Sequence, residues 1–300
     1  MAEQGYDLCA IEGIPYFYRQ FGYEYALPLL EETKIRLEQI PDYESNLTFR
    51  PFTEKGIPRV MQLLEESQKK FYVHAIRDQQ IWKMQHETGI TGVDKFEGYV
   101  AEKGGSLIAY FRISSDLENK TLILREVSDA DWYTNKAILK FLKDYGKQHG
   151  LDVLMTQTSY IDPLTQQLVS LGAIQCLPTY AWQIRIADYV KIFEKIKSLF
   201  EQRLASSIYY DLTEKLNFNF RRYTVQVIVE NGLFTKIHRM EDCADRTLGL
   251  NLLVFVQLLL GYRSRQELEM IYPDFNIRQS HKHLIDMLFP KLPSHIHVAY

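Results

Sequence analysis

The sequence contains little cysteine and has almost no excess charge. Its three cysteines, Cys9, Cys176 and Cys243, are widely spaced and form no CxxC motif. This pattern excludes a disulfide-stabilised scaffold and favours the reducing cytosol as the compartment. The 35 lysines and arginines nearly balance the 38 aspartates and glutamates, giving a net charge of −3 at pH 7. We therefore expect no global electrostatic attraction to nucleic acid or to an anionic membrane.

Long hydrophobic runs are also lacking. The most apolar stretch, residues 248–260, is interrupted by Gly249, Asn251 and Gln257. It is shorter than the about 20 residues that a transmembrane helix needs, so it predicts a buried helix. At the start of the sequence no basic segment is followed by an apolar run. We therefore expect no secretory signal and a cytoplasmic protein.

Patterns for metal binding and for a reactive nucleophile are weak. His295 and His297 share one face of a possible C-terminal strand, but no carboxylate or thiol completes a ligand set at a recognisable spacing. Cys9 stands in an apolar strand, where a thiol is inert. Arg77 and Trp82 would line a groove or pack in a core, and packing is the default interpretation. We predict no metal site.

The composition that is present indicates a folded protein of about two domains, or three small ones. Hydrophobic residues make up 46% and charged residues 24% of the 300 positions, which is close to the average of soluble proteins. Residues 1–46 read as strand, short helix from Pro15, strand and charged connector. A turn signal at Pro41-Asp42 suggests a boundary near Asn46.

Residues 47–187 have the pattern of a mixed α/β unit. The two-residue link Gly104-Gly105 predicts a tight hairpin between two strands. Residues 121–127 read as a further strand. Asp131 then suits the N-cap of a helix that ends at Gly150.

From residue 188 onward the pattern changes. A helix is followed by predicted strands at 216–229 and 233–240, joined by Asn231-Gly232, a strong hairpin signal. The remainder is helical, and Ser264 and Glu267 form a capping box at the start of one helix.

Residues 13–23, with the sequence Gly-Ile-Pro-Tyr-Phe-Tyr-Arg-Gln-Phe-Gly-Tyr, resemble the last strand–helix–strand motif of the GNAT acetyltransferase superfamily. The resemblance implies that Tyr18 lies beside the sulfur of the coenzyme and acts as a general acid. A thiolate leaving group needs a proton, and a phenol with a pKa near about 10 suits that task within hydrogen-bond reach. Tyr18 stands in a densely aromatic segment, however, and such segments are also typical of a core.

The resemblance extends over the whole chain, to the enhanced intracellular survival family of these acetyltransferases. Residues 255–264 (Phe-Val-Gln-Leu-Leu-Leu-Gly-Tyr-Arg-Ser) and residues 288–300 also carry it. It implies an α+β fold with three domains. These are the remnant of a first GNAT module in residues 1–46, a second GNAT-like module in residues 47–187, and a sterol-carrier-protein-like domain in residues 188–300. It also implies that the terminal carboxylate of Tyr300 accepts the proton of the substrate ammonium.

The chain departs from this superfamily where the pyrophosphate of acetyl-coenzyme A should bind. The superfamily holds that group on backbone N–H groups at a glycine-rich strand-to-helix junction, which should precede the Tyr18 motif. Only 17 residues stand before Tyr18, so the first module resembles one that lacks its front. In the second module, the junction Ser128-Asp129-Ala130-Asp131 has no glycine, and its two carboxylates would repel phosphate. The sequence of residues 246–251 is close to the glycine motif. An acidic segment precedes these residues where the motif needs a strand, so they more closely fit the start of a buried helix.

Two hypotheses about function follow. In the first, the intact form is an N-acetyltransferase that uses acetyl-coenzyme A as cosubstrate and a small-molecule amine as acceptor. The 300-residue chain then holds no cofactor by itself and is inactive or impaired. Its partner would be a missing N-terminal GNAT piece or further copies of itself. We expect no nucleic acid and no membrane as a partner. In the second hypothesis, the chain is a non-catalytic protein whose sterol-carrier-like domain binds an apolar ligand or partner.

Overall fold

The computed structural model describes residues 5–29, 31–92, 94–176, 181–241 and 247–296. These residues form two compact units. The first unit combines residues 5–27 with the described residues from 181 to 294. The second unit contains the described residues from 28 to 176 together with residues 295–296. Both units contain sheets and helices, so the predicted α+β class is confirmed.

Seventeen strands and eight α-helices make up the described fold. In chain order the strands are β1 (Leu8–Ile11), β2 (Glu24–Pro28), β3 (Glu32–Arg36), β4 (Thr48–Pro51), β5 (Ile90–Thr91), β6 (Asp94–Lys95), β7 (Glu97–Lys103), β8 (Ser106–Asp116), β9 (Thr121–Val127), β10 (Val153–Thr156), β11 (Ile174–Cys176), β12 (Ala181–Ile186), β13 (Glu214–Asn219), β14 (Thr224–Glu230), β15 (Leu233–Met240), β16 (Leu248–Gly249) and β17 (Asn276–Ile277). The helices are α1 (Ile57–Gln68), α2 (Gln79–Thr88), α3 (Trp132–Gln148), α4 (Pro163–Ser170), α5 (Tyr189–Ala205), α6 (Leu252–Leu259), α7 (Arg265–Ile271) and α8 (Lys282–Leu288).

The second unit is built on a seven-stranded sheet with the order β11-β3-β10-β9-β8-β7-β4. Strands β9 and β10 run parallel, and α3 forms the crossover that parallel strands need. The other neighbouring strands are antiparallel. Between β7 and β8, Gly104 and Gly105 take φ angles of 57° and 80°, which a tight hairpin turn requires.

Helices cover both faces of this sheet. Successive residues of a strand point to opposite faces, so Val100 and Tyr110 belong to one core cluster while Ala101 and Phe111 belong to another. The first cluster includes side chains of α1 and α2, and the second includes side chains of α3 and α4. The core of the second unit therefore lies in two layers, one on each side of the sheet.

The first unit contains a three-stranded sheet, with the order β1-β12-β2, and a five-stranded sheet, with the order β15-β14-β13-β16-β17. Helix α5 packs against β15, and the middle of α6 is buried. Aromatic rings fill the space between these elements, in stacked, tilted and edge-to-face pairs. The rings are those of Phe193, Phe200, Phe218, Phe255 and Phe289.

Several predicted elements are confirmed. Strand β9 spans the predicted residues, and both glycine-containing hairpins form. Asp131 caps α3 by accepting a hydrogen bond from the Thr134 N–H at 2.7 Å. Ser264 and Glu267 form the predicted capping box of α7. The apolar stretch contains the buried helix α6, and in the described part of the chain each helix is too short or too polar to span a bilayer.

Two local predictions were wrong. The segment 31–44 is not only a connector, because it contains β3. The predicted strand 216–229 is two strands, β13 and β14, with a chain reversal at residues 220–223. The predicted short helix between two strands is present as a 3-10 helix, Phe17–Phe21, which begins two residues after Pro15. The possible C-terminal strand falls mainly on residues 297–300, which lie outside the described residues.

The two units cross both predicted domain boundaries. Strand β3 precedes residue 46 but pairs with β10 and β11 of the second unit. Strand β12 precedes residue 187 but pairs with β1 of the first unit. The division into three domains at residues 46 and 187 stays a prediction.

Candidate active site

Tyr18 lies on a tight turn between β1 and β2 of the first unit. It belongs to the 3-10 helix Phe17–Phe21, and residues in the left-handed conformation bracket that helix. Tyr16 has a φ of 64° and Gly22 a φ of 85°, so glycine at position 22 removes one of the two strained sites. The Tyr18 side chain is half-buried, and its ring lies edge-on to those of Phe17 and Tyr23.

Gly13 determines how closely the Tyr18 ring approaches the preceding backbone. A methyl group at position 13 would overlap the ring of Tyr18. Tyr23, the next phenol along, lies close enough to β1 to form a hydrogen bond with the Cys9 thiol. That bond and partial burial raise the pKa of Tyr23. The turn thus holds two phenols and a thiol near each other, and Tyr23 stays protonated at neutral pH.

An ion pair between the partly exposed Arg19 and the buried Glu24 connects the end of this turn to β2. The Arg19 guanidinium lies 2.7 Å from the carboxylate of Glu24, which is only 2% exposed. Burial raises the pKa of Glu24, and the Arg19 guanidinium opposes that shift. The pair therefore holds the helical turn that carries Tyr18 against the first strand that follows it.

The second predicted site residue, Tyr300, lies outside the described residues, as does His297. The described chain ends shortly after His295, whose N–H donates to the Val73 carbonyl at 3.0 Å. The His295 ring is buried, 5.6 Å from the ring of Phe71. Among the residues that the structure describes, no group of three or more histidines, cysteines or carboxylates is placed to hold a metal ion.

The junction between β9 and α3 does not fit a diphosphate. Two of its amides already have partners: the Asp129 N–H donates to Ser67 Oγ at 2.7 Å, and the Thr134 N–H donates to the Asp131 carboxylate at 2.7 Å. The Asp129 carboxylate in turn lies 2.5 Å from Lys70 Nζ. A phosphate here would compete with carboxylates for the donors it needs. That the chain alone binds no coenzyme stays a prediction.

A cavity that sequence reasoning missed lies in the first unit. Its volume is about 830 Å³, and five arginines line it together with Gln20, Asn251 and Tyr223. The arginines come from the turn after Tyr18, from β12, from the reversal before β14 and from β15. Because these segments are up to about two hundred residues apart in sequence, no local motif signals that they meet. The arginines are Arg19, Arg185, Arg221, Arg222 and Arg239.

Comparison with known proteins gives matches at the level of structure. No protein-family model and no curated protein matches the chain. Among solved structures, a GCN5-related N-acetyltransferase from Anabaena variabilis ATCC 29413 is similar to the chain with a TM-score of 0.70 at 16% identity. A probable N-acyltransferase from Enterococcus faecalis V583 gives a TM-score of 0.67 at 16% identity. Eis1 from Mycobacterium abscessus gives 0.58 at 13%.

Each of these three comparisons covers 100% of this chain and 74% of the other chain. The similarity therefore extends through both units. At these identities it concerns the fold. The predicted resemblance is confirmed at that level: the chain has a fold similar to those of the GCN5-related N-acetyltransferase and of Eis1.

Proposed function

We propose that the chain is part of an N-acetyltransferase that transfers an acetyl group from acetyl-coenzyme A to the amine of a small molecule. The observation that carries the proposal is the fold, which matches a GCN5-related N-acetyltransferase over the whole of this chain. The Tyr18 motif on its turn between β1 and β2 adds a chemical reason. The sparse cysteines favour the cytosol as the place of this reaction.

In the proposed reaction, the residues of this chain handle protons. Acetyl-coenzyme A would supply the acetyl group as a thioester. Tyr18 would donate its phenolic proton to the departing thiolate, and the terminal carboxylate of Tyr300 would accept the proton that the attacking ammonium must lose. The tight turn and the contact with Gly13 limit the motion of the Tyr18 ring, which favours a fixed donor.

Residues outside the described part of this chain are proposed to bind the pyrophosphate of the coenzyme. At the β9–α3 junction two backbone donors already have partners, and the junction carries carboxylates. We therefore expect the 300-residue chain alone to show no turnover. A glycine-lined cradle on other residues, in the same chain or in a partner, would hold the coenzyme.

The test begins with the DNA upstream of the codon for Met1, where an in-frame strand, glycine loop and helix are sought. The extended chain and the 300-residue chain are then assayed with acetyl-coenzyme A and a panel of polyamines and aminoglycosides. We expect acetyl transfer only by the extended chain. Transfer by the 300-residue chain would contradict the need for an outside cradle. Absence of transfer by an extended, folded chain would contradict the acetyltransferase assignment.

The role of Tyr18 is tested in the active form. Tyr18→Phe should lower kcat by about 10²–10⁴-fold, because the thiolate then leaves without a general acid. The matched control is Tyr16→Phe, since Tyr16 is on the same turn but 73% exposed. The basic limb of the pH profile of kcat should disappear in Tyr18→Phe and persist in Tyr16→Phe. Equal kinetics of the two variants would exclude Tyr18 as the proton donor.

The second hypothesis, an apolar ligand held by residues 188–300, stays a prediction. The cavity described in the first unit does not favour it, because arginines line its walls. Native mass spectrometry of the purified chain tests it directly. A retained lipid would support this hypothesis, and a chain free of lipid would count against it.

A further inference from the structure

The charged side chains that line the cavity of the first unit are all arginines. Of the described residues that line it, five are arginines and none is an aspartate or a glutamate. The volume of about 830 Å³ is within the usual range of small-molecule sites. A concave surface with charge of one sign concentrates ligands of the opposite sign.

Three of the five guanidiniums are balanced by carboxylates behind them. Arg19 pairs with Glu24 at 2.7 Å. Arg239 pairs with the Glu241 carboxylate at 2.9 Å. Arg221 lies 3.6 Å from the Asp274 carboxylate and donates to the Asp274 carbonyl oxygen at 3.1 Å. These pairs hold their arginines in place.

Arg185 and Arg222 differ from the other three arginines. Across the described ranges, neither has a carboxylate within ion-pair distance. Both are exposed. Arg185 is next to the turn, since its Nε lies 3.7 Å from the place that a Cβ at Gly22 would take. Asp188, the nearby carboxylate at the start of α5, is occupied in accepting the N–H groups of Val190 and Lys191.

The remaining walls suit an organic anion. Gln20 and Asn251 add neutral donors, and the Arg239 guanidinium lies 4.2 Å from the centroid of the Tyr223 ring. Burial raises the pKa of Tyr223, so its hydroxyl remains a donor. Apolar side chains such as Leu253 and Val256 provide an uncharged wall. Guanidiniums match phosphate oxygens in bidentate geometry and keep their charge at every physiological pH.

We propose that this cavity is a binding site for a small organic molecule that carries two or more phosphate groups, with Arg185 and Arg222 as its direct contacts. The site is separate from the amine site of the proposed acetyl transfer, because the two guanidiniums without a paired carboxylate repel an ammonium group. It is also separate from the coenzyme site, which is proposed above to lie outside the described residues. The proposal does not depend on the acetyltransferase assignment, since it concerns binding by the chain as given.

Isothermal titration calorimetry on the 300-residue chain tests the site with inorganic diphosphate as the probe. We expect a dissociation constant below about 1 mM at low ionic strength and weaker binding when salt is added. Arg185→Gln and Arg222→Gln should each weaken binding roughly tenfold, and the double variant should lose it. The matched control is Arg278→Gln, an exposed arginine of the same unit that does not line the cavity.

The other outcomes are decisive as well. Circular dichroism checks that the variants remain folded, as expected for exposed side chains. If wild type does not bind diphosphate, or if Arg278→Gln weakens binding as much as Arg185→Gln, the site is excluded. Citrate is titrated in parallel, and tighter binding of citrate than of diphosphate would contradict the assignment to phosphate. None of these results depends on acetyl transfer, so a failure here is distinguishable from a failure of the proposed function.

Discussion

A buried glutamate in the second unit lies within ion-pair distance of two buried arginines. Glu126 Oε2 lies 2.5 Å from Arg77 Nη2, and Glu126 Oε1 lies 3.8 Å from Arg112 Nε. Both guanidiniums also lie near the ring of Trp82, with their carbons 4.0 and 4.8 Å from its centroid. The exposed fractions of all three charged side chains are a few per cent. Arg77 and Trp82 therefore pack in a core rather than line a groove.

Removing that carboxylate should strongly destabilise the second unit. Glu126→Ala leaves two guanidiniums buried with less compensating charge, so we expect a loss of about 3–5 kcal/mol in the free energy of unfolding. Urea denaturation followed by tryptophan fluorescence measures it. The control is Glu102→Ala, which breaks the partly exposed pair with Arg50 and should cost less than about 1 kcal/mol. Equal losses in the two variants would contradict this account.

Individual site residues differ in how far the sequence reveals them. The role of Tyr18 comes from the resemblance and stays a prediction. The turn that carries Tyr18 could be located in advance, because its helix, its turn glycine and both flanking strands are contiguous in sequence. Arg185 and Arg222 could not, because they approach the turn only through strand pairing across most of the chain. The local sequence around an exposed arginine does not indicate that its side chain will line the same cavity as a distant segment.

At the scale of elements, the start of α3 shows a strong local signal. Asp131 accepts the Thr134 N–H, and this hydrogen bond lowers the pKa of its carboxyl group. A carboxyl whose pKa is lower in the folded state stabilises that state above its unfolded pKa of about 3.9. That stabilisation is lost as the pH falls through the folded-state pKa.

Replacing the cap should therefore have a pH-dependent effect. Asp131→Ala should cost about 1 kcal/mol at pH 7 and less in acid, where the wild-type carboxyl is protonated. Urea unfolding at pH 7 and in acid, followed by the fluorescence of the tryptophans, which include Trp132 in the first turn of the helix, measures the difference in the free energy of unfolding. Asp131→Asn is the control, because it keeps an acceptor without a titrating group and should not show the added pH dependence. An Asp131→Ala cost that does not change with pH would show that the charge is irrelevant.

Two elements show why the local pattern was insufficient elsewhere. In β3, Thr33 and Ile35 are buried while Lys34 and Arg36 are exposed. The alternation of inward and outward side chains that indicates a strand therefore involves only two inward residues, and charged residues surround them. Between β13 and β14 the chain reverses at Arg221, whose φ is 67°. A non-glycine residue in this conformation gives no turn signal in a sequence. Its N–H is instead held by the Asn219 side chain at 2.8 Å.

At the scale of the whole molecule, the fold was predictable from a resemblance. The assignment of each strand to one of the two units was not. The motifs around Tyr18 predicted a GNAT-like fold, and the structural similarity confirms it. The two units, however, each take a strand from beyond a predicted boundary, β3 in one case and β12 in the other. Pairing between distant segments depends on tertiary context, and composition along the chain does not encode it.

The placement of β3 can be tested with two fragments of similar length. One fragment, residues 28–179, follows the continuous part of the second unit, without residues 295–296. The other, residues 47–187, follows the predicted boundaries. The second fragment lacks β3 and the buried side chains of Ile35, Leu37 and Ile40. Loss of such side chains costs about 2–5 kcal/mol each, and the sum is comparable to the whole stability of a typical domain, about 5–15 kcal/mol.

We therefore expect residues 28–179 to fold and residues 47–187 to remain unfolded or to aggregate. Both fragments contain Trp82 and Trp132, but only the fragment 47–187 contains Trp182. The substitution Trp182→Phe in that fragment makes the fluorescence of the two fragments comparable. Two-dimensional amide NMR spectra, with urea unfolding of each fragment, decide the question. A cooperative unfolding transition of equal stability for residues 47–187 would mean that β3 is dispensable and that the boundary at 46 is the physical one. A folded fragment 28–179 beside an unfolded fragment 47–187 would place that boundary before β3, because β10 and β11 need their shared neighbour.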